Sequence, residues 1–343
     1  MVHEHSRGES VRRFIIDHVE EHPSDITRRA AERFGITRQA VSRHLRHLVS
    51  QGVLTQEGNT RSRKYGLTTI EDWTEFYPIT TTLGEDQPWR QKVAPSLGDL
   101  PPNALAIWQY GFTEMFNNAI DHSEGASIGI RLQRTAEATV MMVWDDGVGI
   151  FKKIQTALGL LDERHSLLEL AKGKFTTDPA HHTGEGVFFT SRMFDDFGIL
   201  SRGLYFSHHA DSPVDWLLDA RSGWPGTSVF MKLRNRTRRT SKKVFDQYTS
   251  GDDYGFTRTV VPVSLASYGD DNLISRSQAK RMLARVDRFK TVVLDFSGVE
   301  AVGQAFADEV FRVFPGEHPE VTIVEVHTNS AVKRMVARAR AAG

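Results

Sequence analysis

The 343-residue chain contains no cysteine. That excludes disulfides and thiolate metal sites, and it suits a reducing compartment. It also lacks an excess of either charge, 43 basic residues balancing 43 acidic ones. A nucleic acid or other acidic partner must therefore be met by a local patch, because the global field offers no attraction. No apolar run approaches the length that spans a bilayer, and the opening residues MVHEHSRGES carry no apolar segment of the signal-peptide kind. A cytoplasmic location is the expectation. What the chain does have is length, too much for one ordinary domain, so two or three are expected.

The most informative stretch is residues 111–123, GFTEMFNNAIDHS. Read as a helix, it carries Leu105, Trp108, Phe112, Met115, Phe116 and Ala119 at spacings of three and four, an apolar stripe. Glu114, Asn118 and Asp121 share a second stripe. A carboxylate, a carboxamide and another carboxylate on one face bring a base, a metal-binding oxygen and a further polar contact together. A solvated helix face reads the same way over this segment alone.

Residues 9–68 read as three short helices and a hairpin. Val11, Phe14, Ile15 and Val19 mark the first helix. Ser24 or Asp25 can cap the second, which Gly35 ends, and Thr37 caps the third. Arg38, Gln39, Ser42, Arg43, Arg46 and His47 face outward on the third, able to donate to phosphates and base edges. Two strand-like runs then flank Gly58-Asn59, with Arg61, Arg63 and Lys64 on the return. This resembles the winged helix-turn-helix of bacterial transcription regulators, which implies that the third helix reads a major groove and the wing touches backbone. A three-helix protein-interaction module is the alternative.

Residues 71–102 hold five prolines with the aromatics Trp73, Phe76, Tyr77 and Trp89, and read as a linker and helical lead-in that packs on a neighbour. ASIGIRLQR alternates as a half-buried strand, and ATVMMVWDDGVGI is a buried strand feeding a tight loop. Asp145 sits at its mouth, and Gly147 and Gly149 let backbone approach a flat ligand. TGEGVFFTSRMFDDFG opens a helix with two glycines, a phosphate-binding geometry. Strands near residues 204–207, 216–218 and 227–233 complete the unit, the last introduced by Gly226-Thr227.

These four boxes in this order resemble the GHKL ATPase superfamily of gyrase, MutL, histidine kinases and anti-sigma-factor kinases. The resemblance implies an α/β-sandwich (Bergerat) fold over residues 103–240 and a site for ATP and Mg²⁺. It implies that Asp145 accepts the adenine amino group, that Asn118 holds Mg²⁺, and that Glu114 orients or deprotonates the attacking water or hydroxyl. Asp121 and His122 would lie near sugar and phosphates. Gly184, Glu185, Gly186 and Val187 would form the phosphate-side hinge of a lid over residues 151–183. Gly147 and Gly149 would line the adenine pocket with Thr227. Lys172 and Lys174 read either as phosphate contacts or as solvated lid residues, and His181-His182 lacks a third ligand of metal-site spacing. Histidine kinases usually place asparagine where Glu114 stands, after a phosphoacceptor hairpin that does not precede it here. A histidine kinase is therefore disfavoured.

RNRTRRTSKK at residues 234–243 reads as a charged linker. Residues 255–343 alternate strand and helix, a small α/β unit. Residues 294–307 are similar to the STAS family of anti-sigma antagonists, specifically a STAS-like domain found beside such ATPases. Where phosphorylated relatives carry an acidic residue and serines, this chain has Gly303-Gln304-Ala305-Phe306. A docking role for a protein partner is expected in place of phosphorylation. The whole reads as a multidomain chain: winged helix over residues 1–70, lead-in over 71–102, ATPase unit, then STAS-like domain. The expected function is a DNA-binding regulator switched by slow ATP hydrolysis. A serine/threonine kinase acting on a separate STAS protein, and a scaffold with structural nucleotide, are the alternatives. Dimeric relatives on both sides of the analogy imply a homodimer.

Overall fold

The computed structural model describes residues 7–59, 62–174, 184–210, 216–219, 223–250, 255–266 and 273–341. Helices α1 (Arg7–His18), α2 (Ile26–Phe34) and α3 (Arg38–Ser50) close on their own core of Val11, Ile15, Ile26, Ala30, Val41 and Leu45. Gly35 ends α2 in the left-handed region at φ 60°, where a side chain is disfavoured. Thr37 then caps α3 by accepting from the amide of Ala40 at 3.2 Å. Asp25 stands at the start of α2 but makes no cap bond, its carboxylate binding Arg28 and Arg29 instead. Strands β1 (Leu54–Glu57) and β2 (Lys64–Leu67) pair antiparallel as the wing.

The stretch expected as linker and lead-in is instead built into the middle unit. Residues 68–70 connect β2 directly to β3 (Glu71–Pro78), which pairs with β4 (Ser127–Arg134) along its whole length. A helical segment over residues 86–97, with a π-helical turn at Trp89–Val93, is fastened to it. Trp73 Nε1 donates to Ser96 Oγ at 2.8 Å, and Lys92 meets Glu75 at 3.0 Å.

After α4 (Pro102–His122) come β4, β5 (Ala138–Asp145), α5 (Ile150–Leu158), α6 (His165–Lys172) and α7 (Gly186–Met193). Then follow β6 (Asp196–Ser201), β7 (Leu204–His209), β8 (Trp216–Asp219) and β9 (Thr227–Arg234). The seven strands order as β3-β4-β5-β9-β6-β7-β8, every neighbouring pair antiparallel. Strand β6, which the sequence reading did not anticipate, pairs on both sides, with β9 and β7. Such a sheet buries one face, and α4 lies on it with Trp108, Phe112, Met115 and Phe116 fully or nearly buried. Gly111 is required there, since a Cβ would stand 2.5 Å from the Phe194 ring beyond α7.

Helix α8 (Ser241–Tyr248) leads to the C-terminal unit. Its parallel sheet runs β10 (Arg258–Pro262), β11 (Thr291–Asp295), β12 (Thr322–Val326). Helices α9 (Arg276–Leu283) and α10 (Ser330–Ala341), and a helical segment over residues 304–317, complete it. Strand β10 stops at Pro262, which has no amide to continue the ladder, and a 3₁₀ turn Val263–Ala266 carries on the buried pattern.

Helix α6 joins the two α/β units. All eight of its residues are buried. Lys172 is 2% exposed, its Nζ donating to Glu169 Oε1 at 2.6 Å and to the carbonyl of Ala284 at 2.8 Å. Thr259 Oγ1, on β10, donates to the carbonyl of Lys172 at 2.6 Å. Burial pulls the Lys172 ammonium below its usual pKa, against the opposing pull of Glu169. Neither sequence reading of Lys172 therefore holds: it is a buried structural cation. Glu169 Oε2 also meets Arg285, at 3.8 Å, so losing Lys172 leaves a buried carboxylate with one long ion pair. Lys172→Met is expected to cost about 3–5 kcal/mol in urea unfolding. A single variant costing less than about 1 kcal/mol contradicts this account.

Candidate functional site

Strand β5 delivers Asp145 to the end of the sheet, and β9 begins beside it. The carboxylate is 5% exposed. Its Oδ1 accepts from the amides of Gly147 at 2.9 Å and Thr227 at 3.2 Å, while Oδ2 takes no hydrogen bond among the described residues. Burial raises its pKa, opposed by those two amides. Gly226 must be glycine, since a Cβ would collide with the Asp145 carbonyl and stand 2.8 Å from Oδ1. Thr227 Oγ1 accepts from the amide of Ile150 at 2.9 Å, fastening the start of α5 to the same corner. Trp224 Nε1 donates to the Asp145 carbonyl at 2.7 Å. Gly149, at φ 85°, leaves no room for a side chain beside Ser201 and Arg202.

The neighbouring Asp146 does something different. It accepts from the amides of Ala126 and Ser127 and from Ser127 Oγ, at 2.7, 3.0 and 2.9 Å. The Ser127 amide, first among these donors, holds its carboxyl below the usual range, and it serves as a clasp between β5 and β4.

Helix α4 ends against the same loop. The amide of Val148 donates to the carbonyl of Ser123 at 2.8 Å, and a Cβ on Gly147 would strike that carbonyl. Lys153 Nζ donates to the carbonyl of His122 at 2.7 Å and meets Glu124 at 3.0 Å, a cation at the helix C-terminus. The end of α4 thus abuts the glycine loop, with Asp121 exposed and His122 half-buried in its last turn. Two turns back, Glu114 packs on Gly186, where a Cβ would fall on its carboxylate. Its carboxylate therefore lies at the N-terminal end of α7, an anion-favouring position. Asn118 stands between these two points, half-buried, its carboxamide without a hydrogen-bond partner among the described residues.

On the far side, Gly184 is at φ 72° and Glu185 precedes α7 without capping it, while Val187, half-buried, packs against the core. Burial raises the Glu185 pKa, partly offset by Lys174. Lys174 donates to the carbonyl of Arg288 at 3.2 Å, so it is tied to the C-terminal unit. Residues 175–183, including His181 and His182, lie outside the described residues.

Sequence reasoning missed Tyr110 and Trp224. Burial, then the charges of Glu114 and Glu185, raise the Tyr110 pKa. Its position four residues before Glu114, on the same helix face, was a usable signal. Trp224 had none, since its role depends on a contact across the sheet.

On α3, Arg38, Gln39, Arg43 and Arg46 are exposed and Ser42 is half-buried, donating to the carbonyl of Arg38 at 2.9 Å. Lys64 is exposed and Arg63 half-buried on the wing, whereas Arg61 lies outside the described residues.

Fold and site define a multidomain chain with a winged-helix domain, a mixed α/β middle and a small C-terminal α/β unit. Residues 14–64 match the MarR family, and residues 278–333 match a STAS-like domain of unknown function. No curated protein matches the chain. Among the described residues no helix is long and apolar enough to cross a membrane, and no cluster of three metal-binding side chains occurs.

The buried Asp145 carboxylate is costly to the fold. Asp145→Asn keeps an oxygen for both amides and removes the charge, so its melting temperature should exceed wild type at about pH 8. The folded-state pKa is raised, so the advantage is full above it and vanishes as pH falls below the unfolded carboxyl's, at about pH 4. A variant less stable than wild type at neutral pH contradicts the assignment of that charge.

Proposed function

We propose that this chain is a DNA-binding transcriptional regulator whose middle domain takes ATP with Mg²⁺, in the GHKL manner, and reports it to the C-terminal domain. The observation that carries the nucleotide reading is the Asp145 carboxylate: buried, anchored through one oxygen, with the other left to accept an exocyclic amine. Charge kept in apolar surroundings at a fold's expense is more often functional than structural. The residues present fit the group. Gly147, Gly149 and Gly226 let the loop and β9 close against Ser123, Ser201 and the Asp145 carbonyl, which holds that carboxylate in place, and Asn118 offers an amide oxygen that has no hydrogen bond among the described residues.

In this reading Asp145 selects adenine because a carboxylate accepts its amino edge and rejects a carbonyl. Asn118 holds the metal by its amide oxygen, a hard ligand suited to Mg²⁺. Bound ATP supplies a γ-phosphoryl group for transfer. Glu114 accepts the proton of the attacking water or hydroxyl. DNA affinity resides in the exposed face of α3, with Arg38, Arg43 and Arg46 on phosphates and base edges and Lys64 on backbone.

Isothermal titration of the full chain with a non-hydrolysable ATP analogue and Mg²⁺ tests this. Wild type should bind, and Asp145→Asn should bind at least about tenfold more weakly, the worth of a hydrogen bond to a charged group. Equal affinity in the two removes the proposed pocket.

A further inference from the structure

Residues 234–243, read from sequence as a charged linker, are pinned on one side and left charged on the other. Asn103 Nδ2, in the first turn of α4, donates to the carbonyls of Thr237 at 2.9 Å and Arg239 at 2.8 Å. Arg239 turns inward, donating to the carbonyls of Arg192 and Phe194 and meeting Asp195 at 3.5 Å. Arg236 and Arg238 are exposed, and among the described residues neither has an acidic or hydrogen-bonding partner. Thr240 caps α8 by accepting from the amide of Lys243 at 3.2 Å, and the Lys243 side chain is likewise exposed and unpaired.

These residues line one wall of a cleft of about 720 Å³. The opposite wall is α1 of the winged-helix domain, through Arg13, Asp17 and His18. Seven arginine and lysine side chains line the cleft against two aspartates. Both aspartates are already engaged, Asp17 with Arg13 at 3.6 Å and Asp195 with Arg239. Arg234 reaches Glu137 at 4.0 Å, and Arg192 stacks on the Phe188 ring, 3.7 Å from its centroid. That leaves Arg236, Arg238 and Lys243 as cations facing one confined space with nothing to balance them.

Like charges gathered in a cleft repel one another and focus a field that attracts anions. Guanidinium forks match phosphate oxygens in pairs, and an ammonium adds a point charge beside them. The volume is that of a small-molecule site, and walls on two sides favour a discrete ligand over a polymer backbone that must run in and out. We infer that this cleft binds a small, multiply charged phosphate compound, a polyphosphate or polyphosphorylated ester, clamped by Arg236, Arg238 and Lys243 between the winged helix and the middle domain. Its occupancy fixes α1 against the middle domain, and α3 packs on α1. The ligand is thus an effector of recognition-helix orientation, independent of any nucleotide held near Asp145.

Isothermal titration of the full chain with sodium tripolyphosphate, free of Mg²⁺, tests the site. Wild type and Asp145→Asn should bind alike. Arg236→Gln/Arg238→Gln/Lys243→Gln should keep the wild-type melting temperature without ligand and lose at least about tenfold in affinity. No binding by wild type, or equal affinity in the triple variant, overturns the inference. Loss of binding in Asp145→Asn assigns the polyphosphate to the middle-domain loop and also overturns it, leaving the nucleotide reading intact. A short DNA duplex held through the same three residues and not displaced by tripolyphosphate overturns it in favour of nucleic acid.

Discussion

A carboxylate out of water is the constraint on which this molecule turns. Asp145 gives up most of its hydration and recovers two amide donors, with a third bond made by its own carbonyl to Trp224. Holding it there fixes its surroundings: glycine at 226 so that β9 can start alongside, and glycine at 147 so that the loop can turn under the end of α4. Antiparallel pairing of β5 with β9 sets the approach, with Trp144 opposite Ser228 one position before. A group held at a cost to stability in this way is what marks the corner as the candidate site.

The corner around Asp145 continues into the C-terminal unit by contacts that can be followed atom by atom. Thr227 holds the first amide of α5. The carbonyl of Phe151, one residue on, accepts from Ser166 Oγ of α6 at 2.8 Å. Helix α6 ends in Lys172, buried against Glu169 and the carbonyl of Ala284, with Thr259 of β10 on its carbonyl. One hydrophobic core runs through both units, while the winged helix keeps its own.

Much of this was legible in the sequence because it was periodic or conformationally demanding. The apolar stripe of α4 appears as read, with Leu105 half-buried and the others buried. The glycines of the 145–149 loop and at Gly226 stand where side chains would clash, which is why composition reveals them. Strand β3 was hidden because its alternation is not polar against apolar: Phe76 is on the exposed side, and Glu75 on the other, tied to Tyr77 and Lys92. Strand β6 was hidden by its turn. Arg202 and Gly203, at φ 48° and 86°, make a two-residue hairpin without the usual Asn-Gly signal. The depth of α6 was invisible for another reason: a helix buried on all sides needs partners far along the chain, here residues 258–285.

The account's central claim is that a nucleotide near Asp145 is felt in the C-terminal domain through α6. Amide hydrogen exchange along residues 165–172 and 258–262, with and without Mg²⁺ and a non-hydrolysable ATP analogue, measures it most directly. The account predicts slower exchange in both segments at saturating nucleotide, absent in Asp145→Asn. Nucleotide bound at saturation with exchange unchanged in both segments would contradict it.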